Sequence, residues 1–487
     1  MRHWWLLVLV GAPWAGGALV ALLAGGRRRL AGGAALVTAL ASLVALLALC
    51  LDPGSRVDPV LRVPWIPAMG VQFALRLDAL ALPFLVNVLG VSLVAILYGW
   101  GYLLGHERTH LCYALILAFM GSMLGTLLAD DALLFFVFWE SMLVASSLLL
   151  AGWGEGERVG AVTLKYFIYT QAGSLLVLIS IAWLVATTGS SDLGTIAARL
   201  SGIPRSQRTW VAALMMVGFC VKLAVFPLHT WLPDAHSIAP MPVTVMLAAA
   251  MLSMGAYGIL RFPMMILGSA GLAALQLPVM LLALASEVYG ALMCLACRDI
   301  KRIVAYSSVS QMGYVLFALA SMTPRGIAGG IFHIINHGIL KALLFMGVGL
   351  IMRATGRRRI DQLGGLSRSM PGIAAGISIG AIAITGVPPF CAFHSEWMIF
   401  AGGLSSSYPT LGYLELLAPL FTAAYAIWFA TRLVLGPEPP GLQVRQNHPA
   451  MRWSFYLLVA LAFAVFLLPG PIYGWANRAT SLLGLGR

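Results

Sequence analysis

The sequence predicts an all-α polytopic membrane protein with about 14 transmembrane helices, and three observations carry that prediction. Hydrophobic residues fill 60% of the 487 positions and charged residues only 10%, against about 25% in a soluble domain. The mean hydropathy is +0.92. The apolar residues also fall into runs of about 20, the length that crosses a bilayer. No soluble chain of this size hides so much apolar surface, which excludes a secreted, cytosolic or disordered protein. The net charge of +13 does not point to nucleic acid, because the arginines cluster between the apolar runs and read as topology signals.

In order, the runs cover 4–25, 30–51, 79–102, 111–129, 131–152, 164–186, 209–229, 241–262, 275–297, 303–321, 326–353, 372–402, 413–435 and 453–473. The first is long enough to span and shows no cleavable-signal pattern. Between the second and third, Arg56–Asp78 alternates loosely and holds Pro59, Pro64 and Pro67, which suggests a short hairpin on the outer face. The seventh runs into Phe226-Pro227-Leu228-His229-Thr230-Trp231-Leu232-Pro233, and the twelfth carries Gly386-Val387-Pro388-Pro389-Phe390. Proline removes a backbone donor and clashes with the preceding turn, so helices 7 and 12 are predicted to be broken. Non-helical backbone at membrane depth is tolerated only where protein or water satisfies it.

The two breaks lie five spans apart, an odd number, so their segments run in opposite senses. That is the trace of two inverted five-helix repeats, spans 4–8 against spans 9–13, and paired broken helices mark a transport path. Two unrelated proline kinks are the alternative. The chain then divides into 1–110 (spans 1–3 with the hairpin), 111–262 (first repeat), 263–435 (second repeat) and 436–487 (loop and last helix). Seventeen Lys and Arg fall in loops on one side and eleven on the other. The richer side is predicted cytoplasmic, with both termini on the outer side of a bacterial or archaeal membrane.

Cations are unevenly placed. Of 30, 26 are Arg and four are Lys; the loop count leaves Lys222 and Lys341 inside apolar spans and no Arg as deep. Arg does not deprotonate, whereas a desolvated Lys does so readily, so this choice suggests a site that gains and loses a proton. A structural ion pair is the alternative. Glu140, Glu287 and Glu396 also lie within spans, where an unpaired acid costs roughly 2.5 to 3.5 kcal/mol. Glu140 is the natural partner of Lys222. Asp130, Asp131 and Glu415 sit at span ends, where solvation is expected.

His333, His337 and Lys341 recur at i, i+4 and i+8 and so share one drifting stripe. A proton relay, satisfied core histidines and a zinc site are the three readings. A metal wants a third ligand, and the nearby Lys opposes it. Cys294 and Cys297 form a lone C-x-x-C, and core packing suits it better than an iron–sulfur cluster, which needs about four ligands. No phosphate loop, dinucleotide fingerprint or haem motif is present.

Four segments give these features a family context: Phe138-Trp139-Glu140; Lys165–Gly173 (KYFIYTQAG); Lys222–His236 (KLAVFPLHTWLPDAH); and Asp299–Tyr314 (DIKRIVAYSSVSQMGY). Together they closely resemble the antiporter-like subunits of respiratory complex I (NADH:quinone oxidoreductase) and its relatives, over most of the chain and most strongly from about 130 to 400. The segment before the break and the short C-terminus look like the M-type subunit. Phe332–Phe345 looks more like the L-type subunit and the membrane-bound hydrogenase relatives.

The resemblance implies a 14-helix fold and proton translocation driven by a redox module elsewhere. The chain itself would be a non-redox subunit without cofactors. FMN and iron–sulfur clusters would sit in partner subunits of a peripheral arm, reached through other membrane-arm subunits. By the same resemblance, Glu140 and Lys222 form an ion pair whose opening changes the lysine's proton affinity. His333, His337 and Lys341 belong to a hydrated axis, and Glu396 is the terminal acid. His229, Asp234, His236, Ser253, Glu287 and Gln311 are possible relay positions.

Two departures stand out. Ser253 and Gln311 occupy positions where the family has a Lys and, in M-type subunits, a His. Alternatives to the redox-driven pump are a Mrp-type cation/proton antiporter subunit, a hydrogenase-type proton or sodium pump subunit, and a structural subunit with impaired transport.

Overall fold

The computed structural model describes residues 2–23, 25, 27–51, 58–268 and 272–484. Arg56 and Arg487, both counted in the charge bias, lie outside these residues. Among the described residues, twelve helices are long and apolar enough to cross a membrane, so the chain is a polytopic helical membrane protein. In chain order the helices begin with α1 (Arg2–Leu23), α2 (Arg28–Leu51), α3 (Ala81–Tyr102), α4 (Thr109–Leu128), α5 (Ala132–Trp153) and α6 (Val159–Thr188). A short α7 (Leu193–Arg199) precedes α8 (Arg205–Leu223) and α9 (Leu232–Ile238). Then come α10 (Met241–Ile266), α11 (Gln276–Ala296), α12 (Ile300–Ala320) and α13 (Pro324–Thr355). The last are α14 (Pro371–Ala383), α15 (Ala392–Leu404), α16 (Pro409–Val434), α17 (Pro449–Leu467) and α18 (Gly470–Ser481). The twelve do not include α8, which opens on Arg205-Ser206-Gln207-Arg208, or α14, which is 13 residues long.

Both predicted breaks are present. Ala224 closes α8 in the left-handed region, φ +61°, and its N–H returns to the Cys220 and Val221 carbonyls. The chain then unwinds as far as α9, and Trp231 Nε1 donates to Val221 O at 2.9 Å. The Val221 carbonyl at the helix end thus takes a second donor, an indole from the break itself. The second break separates α14 from α15. Asn336 of α13 holds it, donating to Cys391 O at 2.9 Å and to Ser395 Oγ at 2.8 Å.

Helices α10, α12 and α13 form the centre. An apolar stretch of 18 residues in each is 100%, 94% and 94% buried, whereas the same length of α1, α2 and α17 is 33%, 33% and 28% buried and faces outward. Within α10 the turns widen to π-helix at Leu247–Met251 and Leu260–Ile266. Such a turn frees a carbonyl, and Asn87 of α3 donates to Ala249 O at 2.9 Å. Gly338 of α13 is required opposite, because any side chain there would collide with Asn87 Oδ1.

The predicted hairpin exists as an antiparallel pair, β1 (Val60–Ile66) and β2 (Val71–Arg76). It changes the reading of the neighbouring acids. Asp130 and Asp131 are buried, not solvated. Arg62 and Arg76 reach Asp130 at 2.8 and 3.1 Å, and Asp131 caps α5 by accepting from Leu133 N and Leu134 N. Nor do the loops hold every arginine. Arg261 lies in the second π-helical stretch of α10, 5% exposed, and forks onto Asp78 at 2.6 and 3.0 Å while bonding Tyr257. Replacing Arg261 by Met strands the Asp78 carboxylate. We expect a loss of about 3 to 5 kcal/mol, read from thermal unfolding in detergent, and recovery of most of it when Asp78→Asn is added.

Candidate functional site

Four groups of polar side chains lie inside the bundle. The first surrounds Lys222, on the last turn of α8 beside the break and 2% exposed. Its Nζ has no hydrogen-bond partner and stands over the Trp139 ring, 5.1 Å from the centroid. The indole is held in place by its own N–H, which donates to Ser174 Oγ of α6 at 2.9 Å. A desolvated cation over an aromatic face gains about 2 kcal/mol. Glu140 acts on Lys222 through its charge, but the two are not hydrogen-bonded: neither Lys222 Nζ nor Glu140 Oε1 has a partner. The expected contact is therefore open. Adjacent residues on a helix point about 100° apart, and it is Trp139 that takes the position facing the lysine.

The second group is the α13 stripe. His333, His337 and Lys341 are all buried, as their spacing predicts. Lys341 Nζ donates to Ser307 Oγ of α12. His337 Nε2 has no partner. His333 bridges two helices, with Nε2 3.0 Å from Gln311 Oε1 and Nδ1 3.0 Å from Ser395 Oγ. Ser395 also donates to Ala392 O at 2.9 Å. With a proton on Nδ1, Ser395 accepts from His333 and keeps its bond to Ala392. With Nδ1 bare, the hydroxyl turns to donate to the ring. One arrangement of heavy atoms serves both protonation states, which suits a relay.

The third group comprises three acids. Glu396, one residue past Ser395, packs its carboxylate against Gly386 in the break. Glu287 of α11 and Glu415 of α16 lie close enough to repel each other without closing a hydrogen bond, and Glu396 interacts electrostatically with both. Both oxygens of Glu287 and of Glu415, and Oε1 of Glu396, have no hydrogen-bond partner. Glu415 was expected to be solvated, yet it is fully buried. Pro409 at the first turn starts α16 four residues before the apolar run suggested, carrying Glu415 a turn and a half inside. That proline was the available signal. Gly386 has φ +70°, and a Cβ there would enter the Glu396 carboxylate. Gly386→Ala should displace the acid and slow proton transfer about 100-fold, measured as proton uptake by vesicles holding the intact complex.

The fourth group lies towards the basic loops. His229 and His236 are buried; both ring nitrogens of His236 and Nδ1 of His229 lack partners. Asp234, placed among the relay candidates, instead ties Lys165 and Arg302 together at 2.7 and 2.8 Å near the surface. Lys301, counted as a loop cation, is fully buried and donates to Ala239 O. Asp299 caps α12 and puts Lys301 in the first turn, where the end of α9 covers it. Ser253 of α10 turns its hydroxyl to Ala250 O at 2.6 Å. Among the described residues, no group of three or more His, Cys, Asp or Glu is arranged to hold a metal ion. All six cysteines are free.

The family profile described as "NADH:quinone oxidoreductase/Mrp antiporter, TM" matches residues 129–422, which includes all four groups. The chain belongs to this family. A second profile, for the N-terminus of complex I chain 5, matches residues 65–111. NAD(P)H-quinone oxidoreductase chain 4 1 of Synechococcus sp. is 36% identical over 77% of this chain and 69% of its own length. F(420)H(2) dehydrogenase subunit M of Methanosarcina mazei is 32% identical over 84% and 83%. Among solved structures, a chain of respiratory complex I from Thermus thermophilus matches with TM-score 0.86 and 27% identity, over 99% of this chain and 100% of that one. A chain of the Mrp complex from Dietzia sp. matches with TM-score 0.86 and 31% identity, over 98% of this chain and 52% of that one. The relatives thus support an antiporter-like subunit of the complex I M-type.

Proposed function

We propose that this chain is a proton-translocating membrane-arm subunit of a complex-I-like, redox-driven pump. The observation that carries the proposal is the set of buried titratable side chains left unpartnered inside the bundle: Lys222 and Glu396 at the two helix breaks, with His337 and Glu287 on α13 and α11. A structural core pairs such groups, because each one left alone costs stability.

In this reading α4–α10 and α11–α16 are two inverted five-span repeats, residues 111–262 and 263–435, in a 14-span chain with broken spans 7 and 12. Residues 1–110 and 436–487 flank them. The basic loops face the cytoplasm and both termini face out. Redox energy released in partner subunits holding FMN and iron–sulfur clusters alters the field at Glu140, which draws away from or towards Lys222 and changes its hold on a proton. The proton then passes along the α13 stripe to the three acids. Gln311 holds His333 by a hydrogen bond and Ser253 offers a hydroxyl, so both departures from the family pattern keep polar atoms on the route. Moving one proton against 100 mV costs about 2.3 kcal/mol, more than the roughly 1.4 kcal/mol of a single pKa unit. Several sites must therefore act together.

The likeness to the Mrp complex favours a second reading, a cation/proton antiporter subunit with no redox partner. Purifying the intact complex separates the two. Flavin and iron–sulfur subunits that copurify support the pump; a complex of membrane subunits alone overturns it in favour of the antiporter.

A further inference from the structure

The titratable residues nearest the basic loops play no part in the axis described so far, yet they meet at one point. The last turn of α9 presents two consecutive carbonyls. Ile238 O accepts the backbone N–H of Glu155, in the α5–α6 loop, at 2.7 Å. Ala239 O accepts from Lys301 Nζ. Two residues earlier, His236 points both unpartnered ring nitrogens into the core and packs on Phe345, 5.6 Å between ring centres. Phe345 is one turn beyond Lys341 on α13. His236 is within electrostatic reach of Lys301, Lys341 and His337.

Glu155 opens towards solvent. Its side chain is 35% exposed beside His106, which is 26% exposed and 3.9 Å away. Tyr102 donates to it at 2.7 Å. Burial pushes the Glu155 carboxyl up, but nearby His106, the charge of Lys301 and the hydrogen bond from Tyr102 outweigh it and hold the group below its ordinary value. It is therefore an ionised carboxylate at neutral pH, set among the basic loops. An anion in such a cleft concentrates protons.

We propose that Glu155 and Lys301 form a proton inlet that feeds the central axis through His236. The proposal rests on the proton-translocating reading above. One proton moves at each step. The Lys301 ammonium gives a proton to a ring nitrogen of His236, leaving a neutral amine and an imidazolium. The imidazolium passes its proton to Lys341 or His337. The Lys301 amine is reloaded from the aqueous face, where the Glu155 carboxylate draws protons in. The charged groups around Lys301 are Glu155, Asp299, Arg358 and His236, and those around Glu155 are His106 and Lys301.

The test uses the intact complex in sealed vesicles, driven by NADH and a soluble quinone, with a pH-sensitive dye reporting proton uptake. Glu155→Gln keeps the bond from Tyr102 and removes the charge. Uptake should slow by about tenfold or more at alkaline pH and recover as the pH falls and bulk protons replace the antenna. Lys301→Arg keeps the charge and a donor for Ala239 O but cannot release a proton, so uptake should fail at every pH while the purified complex keeps its subunits. A Glu155→Gln complex with the wild-type pH profile overturns the inlet, even where Lys301→Arg fails to assemble, and leaves the pump reading standing. Wild-type vesicles that take up no protons overturn both.

Discussion

Replacing Lys222 by Ala stops proton transfer through this chain while leaving the complex assembled. The amine has no hydrogen bond to lose, and its one close support is the face of Trp139. Removing an unpartnered buried cation relieves a desolvation cost of similar size to the cation–π gain it forfeits, so folding changes little. Function changes a great deal, because a positioned acid–base group contributes about 100- to 10,000-fold to proton transfer. The measurement is the proton-to-electron ratio of the reconstituted complex, with subunit content as the control. An unchanged ratio in an assembled complex would overturn the role of Lys222. Lys222→Arg sharpens the result. It restores charge without restoring a releasable proton, and should pump no better than the Ala variant.

Glu396→Gln is the second large effect. The amide has the same shape, still fits against Gly386, and carries no exchangeable acid proton. Three carboxyl groups crowded together with no cation beside them cannot all be ionised, so Glu287, Glu396 and Glu415 must share protons to remain buried. Glu396 sits where the Ser395–His333 bridge meets this group. Its loss should cut proton transfer by about 100-fold or more, with vesicle acidification as the readout. Glu415→Gln should have a milder effect, since Glu287 and Glu396 still hold a proton between them. If Glu396→Gln pumps normally, the route does not end at these acids.

The breaks were legible in sequence because proline acts locally: Pro227, Pro233, Pro388 and Pro389 interrupt hydrogen bonding wherever the chain goes. The α13 stripe was legible because three titratable residues at i, i+4 and i+8 share a helix face in any fold. Lys301 was not legible. It stands next to Arg302, which reaches the surface and pairs with Asp234, and only the end of α9 folding over it makes it buried. Arg261 and Asp78 were hidden for a related reason. Their burial depends on a contact across 183 residues of chain, and each alone reads as a span-end charge.

By itself the sequence determined that this is a membrane protein with two broken helices, a family motif set and a few ionisable residues at membrane depth. Those properties follow from transfer free energy and local backbone chemistry, which do not depend on neighbours. Only the tertiary structure decided which of those residues meet. It put Trp139 rather than Glu140 against Lys222, gathered Glu287, Glu396 and Glu415 from three helices, and joined Gln311 to Ser395 through His333. A charge's cost inside a membrane depends on its partners, and the partners come from other helices.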